Sequence, residues 1–123
     1  MTTGQLVLLV DDDEAVRASL KFALELEGLV VRACASGPEL LQHPDLPRAR
    51  CLILDYKMPD MDGLEVLARL TARGPHPQVI LITGSAIAPL RQRAAEAGIS
   101  YILEKPLSGN ALLDSIHQVL AAP

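Results

Sequence analysis

Four places in the chain carry side chains that could hold a hard cation or accept a transferred group. They are the acidic run Asp11, Asp12, Asp13 and Glu14, then Asp55, Thr83 and Lys105. Carboxylates drawn from two separate loops would repel one another, since like charges about 4 Å apart interact at roughly 4 kcal/mol for an effective dielectric of 20. Two remedies exist: one carboxyl stays protonated, or the group binds a cation. An all-oxygen ligand set without His or Cys favours Mg2+, with Mn2+ as a substitute, over zinc. Lys105 adds a positive point charge and Thr83 a hydroxyl donor. A cation, a carboxylate nucleophile, a hydroxyl and an ammonium together make a cage for a transferred phosphoryl group.

Taken singly, each residue has a simpler reading. Asp11–Asp13 could be a helix cap followed by a solvated acidic turn. Asp55 could cap the turn before Met58-Pro59-Asp60. Thr83 fits a strand end and Lys105 a solvated surface. What separates them from chance is position: each lies at the carboxyl end of a different apolar run, where open parallel sheets bind their ligands. His43, His76 and His117 have no acid partner or metal-ligand spacing and read as ordinary surface or loop residues. Met58 and Met61 read as packing residues.

The elements that must position these groups show in the pattern. Five short apolar runs, Gln5–Val10, Leu29–Cys34, Cys51–Leu54, Gln78–Ile82 and Ser100–Leu103, are continuous rather than alternating, as in strands covered on both faces. Between them apolar residues recur at helical spacing: Val16, Leu20 and Leu24; Leu64, Leu67 and Leu70; Ile87, Leu90, Ala94 and Ala97; Leu112, Ile116, Val119 and Leu120. Ser36 and Asp62 each precede a Glu by three positions, the pattern of a capping box, and Ser108 can cap the last helix. Gly28 and Gly98 fall just past helix ends, and Pro89 fits a first helical turn. The helix around Glu39–Gln42 is the least secure, because Pro44 and Pro47 cut it short. Alternating strands and helices at βα spacing predict parallel strands, right-handed crossovers and a three-layer α/β sandwich. The second strand, which ends in bland residues, is expected at an edge.

Composition bounds the rest. The 123 residues suit one domain, 1–123, and area scaling puts its folded surface at about 6,400 Å². Half the residues are apolar, yet only Phe22, Tyr56 and Tyr101 are aromatic, so the core must be aliphatic. A net charge of −4 disfavours direct binding to nucleic acid. Cys34 and Cys51 lie in apolar runs and read as reduced core thiols, as in a cytoplasmic protein. No stretch is long enough to span a membrane, and no secretory signal is evident.

The segments Leu8-Leu9-Val10-Asp11-Asp12-Asp13, Leu54-Asp55-Tyr56-Lys57-Met58-Pro59-Asp60-Met61-Asp62-Gly63, Ile82-Thr83-Gly84 and Glu104-Lys105-Pro106 resemble, over the whole chain, the receiver domains of two-component response regulators. The Thr83-Gly84 pair, Pro89 and Ala97-Gly98 look most like the FixJ-like subgroup. The resemblance implies a flavodoxin-like fold with five parallel strands in the order 2-1-3-4-5 and five helices, an order that general accounts of the fold themselves use as an example. It implies that Asp55 takes a phosphoryl group from the histidine of a sensor kinase. It further implies that Asp11, Asp12, Asp55 and the carbonyl of Lys57 hold Mg2+, with Asp12 a direct ligand and Asp11 acting through water, and that Thr83 and Lys105 contact the phosphoryl group. The domain would then switch a protein–protein surface toward a downstream effector, with room for a homodimer on phosphorylation.

One departure stands out. Receivers carry a buried aromatic three residues before the lysine, and here that position holds Ile102, with Tyr101 one residue early. Leu107 also stands where Phe often follows Lys-Pro. Two other classes share the fold type: a small flavin-binding electron carrier and a metal-dependent aspartyl phosphatase. Four acids after the first strand would repel a flavin phosphate. In such phosphatases the nucleophile normally sits on the first strand.

Overall fold

A computed structural model of the protein describes residues 4–84, 87–99, 101–107 and 110–121. Five strands, β1 (Leu6–Val10), β2 (Val30–Cys34), β3 (Cys51–Asp55), β4 (Gln78–Thr83) and β5 (Tyr101–Glu104), alternate with five helices. The helices are α1 (Glu14–Leu26), α2 (Gly37–Leu41), α3 (Gly63–Arg73), α4 (Ile87–Glu96) and α5 (Ala111–Ala121). All strand pairs are parallel and the order is β2-β1-β3-β4-β5, with β2 at an edge. The chain's surface, 6655 Å², lies close to the scaling value.

Strand alternation builds two cores. Leu8, Val10, Leu52, Leu54, Val79 and Leu81 face one way, against Leu40 of α2, Val66, Leu67 and Leu70 of α3, and Leu90 and Ala94 of α4. Val7, Leu9, Ile53, Ile80 and Ile82 face the other, against Leu24 of α1 and Leu112, Ile116 and Val119 of α5. Both faces of the sheet are therefore covered, which explains why its strands read as continuous apolar runs. The Cys34 and Cys51 thiols are free and sit one in each core. Burial pushes each up to about 12, with help from Glu39 at Cys34, so both stay protonated near neutral pH.

Helix ends follow the caps. Asp13 accepts hydrogen bonds from the Ala15 and Val16 amides and starts α1. The Asp62 carboxylate accepts from the Glu65 amide while Glu65 accepts from the Asp62 amide, a complete capping box on α3. Gly28 and Gly98 have φ of 90° and 88°, in the left-handed region that glycine reaches without a Cβ penalty. The helix α2 is only five residues long, and the chain passes through a single 3-10 turn, Leu46–Arg48, before β3. Pro44 precedes that turn and Pro47 lies within its first positions, where a proline's fixed φ is tolerated. The expected Ser108 cap and the Ser100 start of the fifth strand lie outside the described residues.

Candidate functional site

Register decides which side chains can meet. Val10 of β1 pairs with Leu54 of β3, so the next residues, Asp11 and Asp55, emerge side by side at the carboxyl end of the sheet. The ladder runs on past the strands: the Asp11 amide donates to the Cys34 carbonyl, Tyr56 to Ile82, and Lys105 to Thr83. These bonds fix the loop backbones that carry the candidate residues. Asp55 and Thr83 are thus the last residues of their strands, one position later than the sequence pattern implied.

The carboxylate oxygens of Asp11, Asp12 and Asp55 lie within 4.8 Å of one another. Asp11 and Asp55 are buried and Asp12 is exposed. Lys105 Nζ stands 3.2 Å from Asp11 Oδ2 and 3.5 Å from Asp55 Oδ1, closing the cluster from the β5 side. Asp11 is held further by its Oδ1, which accepts from the Asp13 amide at 2.9 Å. Burial first, and then the Asp11 charge, push the Asp55 carboxyl up to about 6 against the opposing pull of Lys105. Partial burial lowers Lys105, but the Asp55 and Asp11 carboxylates outweigh it and hold the ammonium above its ordinary range. Ligand oxygens around a hexacoordinate ion with bonds of about 2.1 Å sit roughly 3–4 Å apart. The acidic cluster fits such an ion with one contact made through water. Three hard oxygen donors and no nitrogen or sulfur suit Mg2+ rather than zinc.

Thr83 is fully buried at the end of β4. The Lys57 side chain is exposed in the loop after Asp55. All five expected side-chain groups therefore collect at one end of the sheet, at the point where strand order reverses between β1 and β3. The three histidines stay away from it. The His43 ring accepts from the Asp45 amide, His76 sits in the α3–β4 loop and His117 is exposed on α5.

Two contacts were not foreseen. Arg17 of α1 donates to the Asp11 carbonyl at 2.7 Å, and Arg93 of α4 donates to the Tyr56 hydroxyl at 3.1 Å. Arg17 lies one turn past the Asp13 cap, a spacing that could have flagged it. Nothing in the sequence ties position 93 to position 56. On β5, Tyr101 packs into the α1/α5 core while Ile102 packs into the α3/α4 core. A one-residue offset moves a side chain to the opposite face of a sheet, so Tyr101 cannot stand in for the missing aromatic.

The family described as the response regulator receiver domain matches residues 7–117. The chain belongs to it. Among curated relatives, the receiver is 40% identical over 115 residues to the transcriptional regulatory protein FixJ of Azorhizobium caulinodans, covering 93% of this chain and 54% of that one. It is 39% identical to the C4-dicarboxylate transport transcriptional regulatory protein DctR of Rhodobacter capsulatus, covering 94% of this chain and 60% of that protein. The chain thus spans about half the length of such relatives. Among solved structures, the crystal structure of FixJ-N overlays with a TM-score of 0.85 at 32% identity, covering 98% of this receiver and 97% of FixJ-N. The receiver is accordingly a FixJ-like signalling domain of the two-component type, and neither the flavin carrier nor the aspartyl phosphatase gains support. Among the described residues no helix is long and apolar enough to cross a membrane.

Proposed function

We propose that residues 1–123 act as one receiver unit in which Asp55 accepts a phosphoryl group from the phosphohistidine of a sensor kinase. An Asp55 carboxylate oxygen attacks phosphorus, the P–N bond breaks, and the leaving imidazole nitrogen takes up a proton from solvent. The observation that carries this reading is Lys105 Nζ between two carboxylates that themselves approach a third. The ammonium is placed to release Asp55 and pair with phosphoryl oxygens, while Thr83 offers its hydroxyl from β4. Mg2+, held by Asp12, Asp55 and the Lys57 carbonyl with Asp11 acting through water, would neutralise charge on the transferred group. Buried Asp11 serves first to orient Lys105.

A phosphoryl group adds a charge of about −1.5 to −2 beside Thr83 and Lys105. Drawing Thr83 toward it pulls the 83–89 segment and repositions α4, which changes the surface offered to a downstream effector. The receiver also hydrolyses its own acyl phosphate, works in the cytoplasm, contacts no nucleic acid directly and has room to dimerise through α4 and α5 when phosphorylated. Incubation with acetyl phosphate and Mg2+ tests the acceptor. Intact mass should rise by one phosphoryl group in the wild type and stay unchanged in Asp55→Asn. Equal labelling of that variant would move the nucleophile elsewhere.

A further inference from the structure

Tyr56 directly follows the proposed acceptor, and its backbone is anchored on both sides. Its amide donates to the Ile82 carbonyl of β4 at 2.7 Å, and its carbonyl accepts from the Gly63 amide at the start of α3, also at 2.7 Å. Its ring packs half-buried against the core that contains Leu90 and Ala94 of α4. The hydroxyl reaches α4 itself, accepting from Arg93 Nη1 at 3.1 Å. The acceptor loop and α4 are therefore joined by a side-chain hydrogen bond, in a receiver whose β5 offers only Ile102 to the same core. A hydrocarbon side chain there cannot report two states through a hydroxyl.

We infer that the Tyr56–Arg93 hydrogen bond is a latch that couples the position of α4 to the state of the loop carrying Asp55. This inference rests on the acceptor role of Asp55. The latch belongs to the arrangement in which Lys105 pairs with the unmodified Asp55. Because the Tyr56 backbone is tied to β4 and α3, a shift of α4 beyond what the Arg93 side chain can follow breaks the bond. Losing the bond removes a preference for the unmodified arrangement, and a ligand selective for the other arrangement then binds more tightly.

Beryllofluoride with Mg2+ is a non-covalent phosphoryl mimic and the probe of choice. Its affinity is to be measured by titration for the wild type, Tyr56→Phe, Arg93→Met and the double variant. Phenylalanine keeps the packed ring and removes only the hydroxyl. We expect each single variant to bind about three- to tenfold more tightly, the range for loss of one ordinary, solvent-accessible hydrogen bond. The double variant should bind no more tightly than either single one, because both remove the same contact. Amide exchange across α4 should quicken in Tyr56→Phe without the probe. Variant affinities within about twofold of the wild type, weakened binding, or additive effects would each overturn the latch. Absence of binding to the wild type would instead overturn the acceptor reading.

Discussion

Burial and the Asp11 charge lift Asp55 from 3.8 to about 6, so the ionised form that the proposed attack requires is also the form its surroundings disfavour. The sign follows directly. The group titrates higher when folded, so its contribution to stability is complete below about pH 4 and is lost as pH rises through about 6. A shift of this size corresponds to about 3 kcal/mol at neutral pH. Asp55→Asn mimics the protonated carboxyl. Without Mg2+ it should match the wild type near pH 4 and exceed it by up to about 3 kcal/mol at pH 7, read from urea unfolding at both pH values. A gap that does not widen with pH would show that Asp55 is not strained by its surroundings.

Elements act on the site through their ends. The helix α3 begins at Gly63, where a Cβ would lie 2.9 Å from the Asp55 carbonyl oxygen and 2.9 Å from Leu81 Cδ1. The acceptor loop closes against this glycine, and the Gly63 amide binds the Tyr56 carbonyl in the same turn. Gly63→Ala should therefore destabilise the protein by about 1–3 kcal/mol, in the range of overpacked sites, and slow labelling of Asp55 by acetyl phosphate. Urea midpoints and labelling time courses check it together. The short α2 and the proline-containing 3-10 turn carry no candidate site residue.

Across the whole molecule, the sheet gathers three carboxylates at one end against the single ammonium of Lys105, and a divalent cation would offset the remaining repulsion. Mg2+ that binds the native state alone stabilises it by mass action, by about 3 kcal/mol at a hundred times its dissociation constant. Thermal unfolding with and without Mg2+ should show this rise in the wild type. Asp12→Ala, which removes an exposed carboxylate from the cluster, should lose most of it. An undiminished rise in that variant would exclude Asp12 as a ligand.

The strands, the edge place of β2 and the gathering of the candidate residues Asp11, Asp12, Asp55, Thr83 and Lys105 at one end of the sheet were legible in the chain. Burial on both faces forces continuous apolar runs, and the ligand-binding end of a parallel sheet must be populated by whatever follows those runs. Cap and glycine positions were legible too, because helix ends have local steric and hydrogen-bonding demands. Other features depend on contacts between distant segments, which leave no local pattern. The reach of Lys105 to both carboxylates spans 94 positions from Asp11, and the bond from Arg93 to Tyr56 spans 37. The rise of Asp55 to about 6 needs burial and neighbours that exist only once β1, β3 and β5 lie side by side. Residue type and spacing determined which groups arrive at the sheet's end; only three-dimensional packing decided their separations, and electrostatic energy depends on separation and burial rather than on order along the chain.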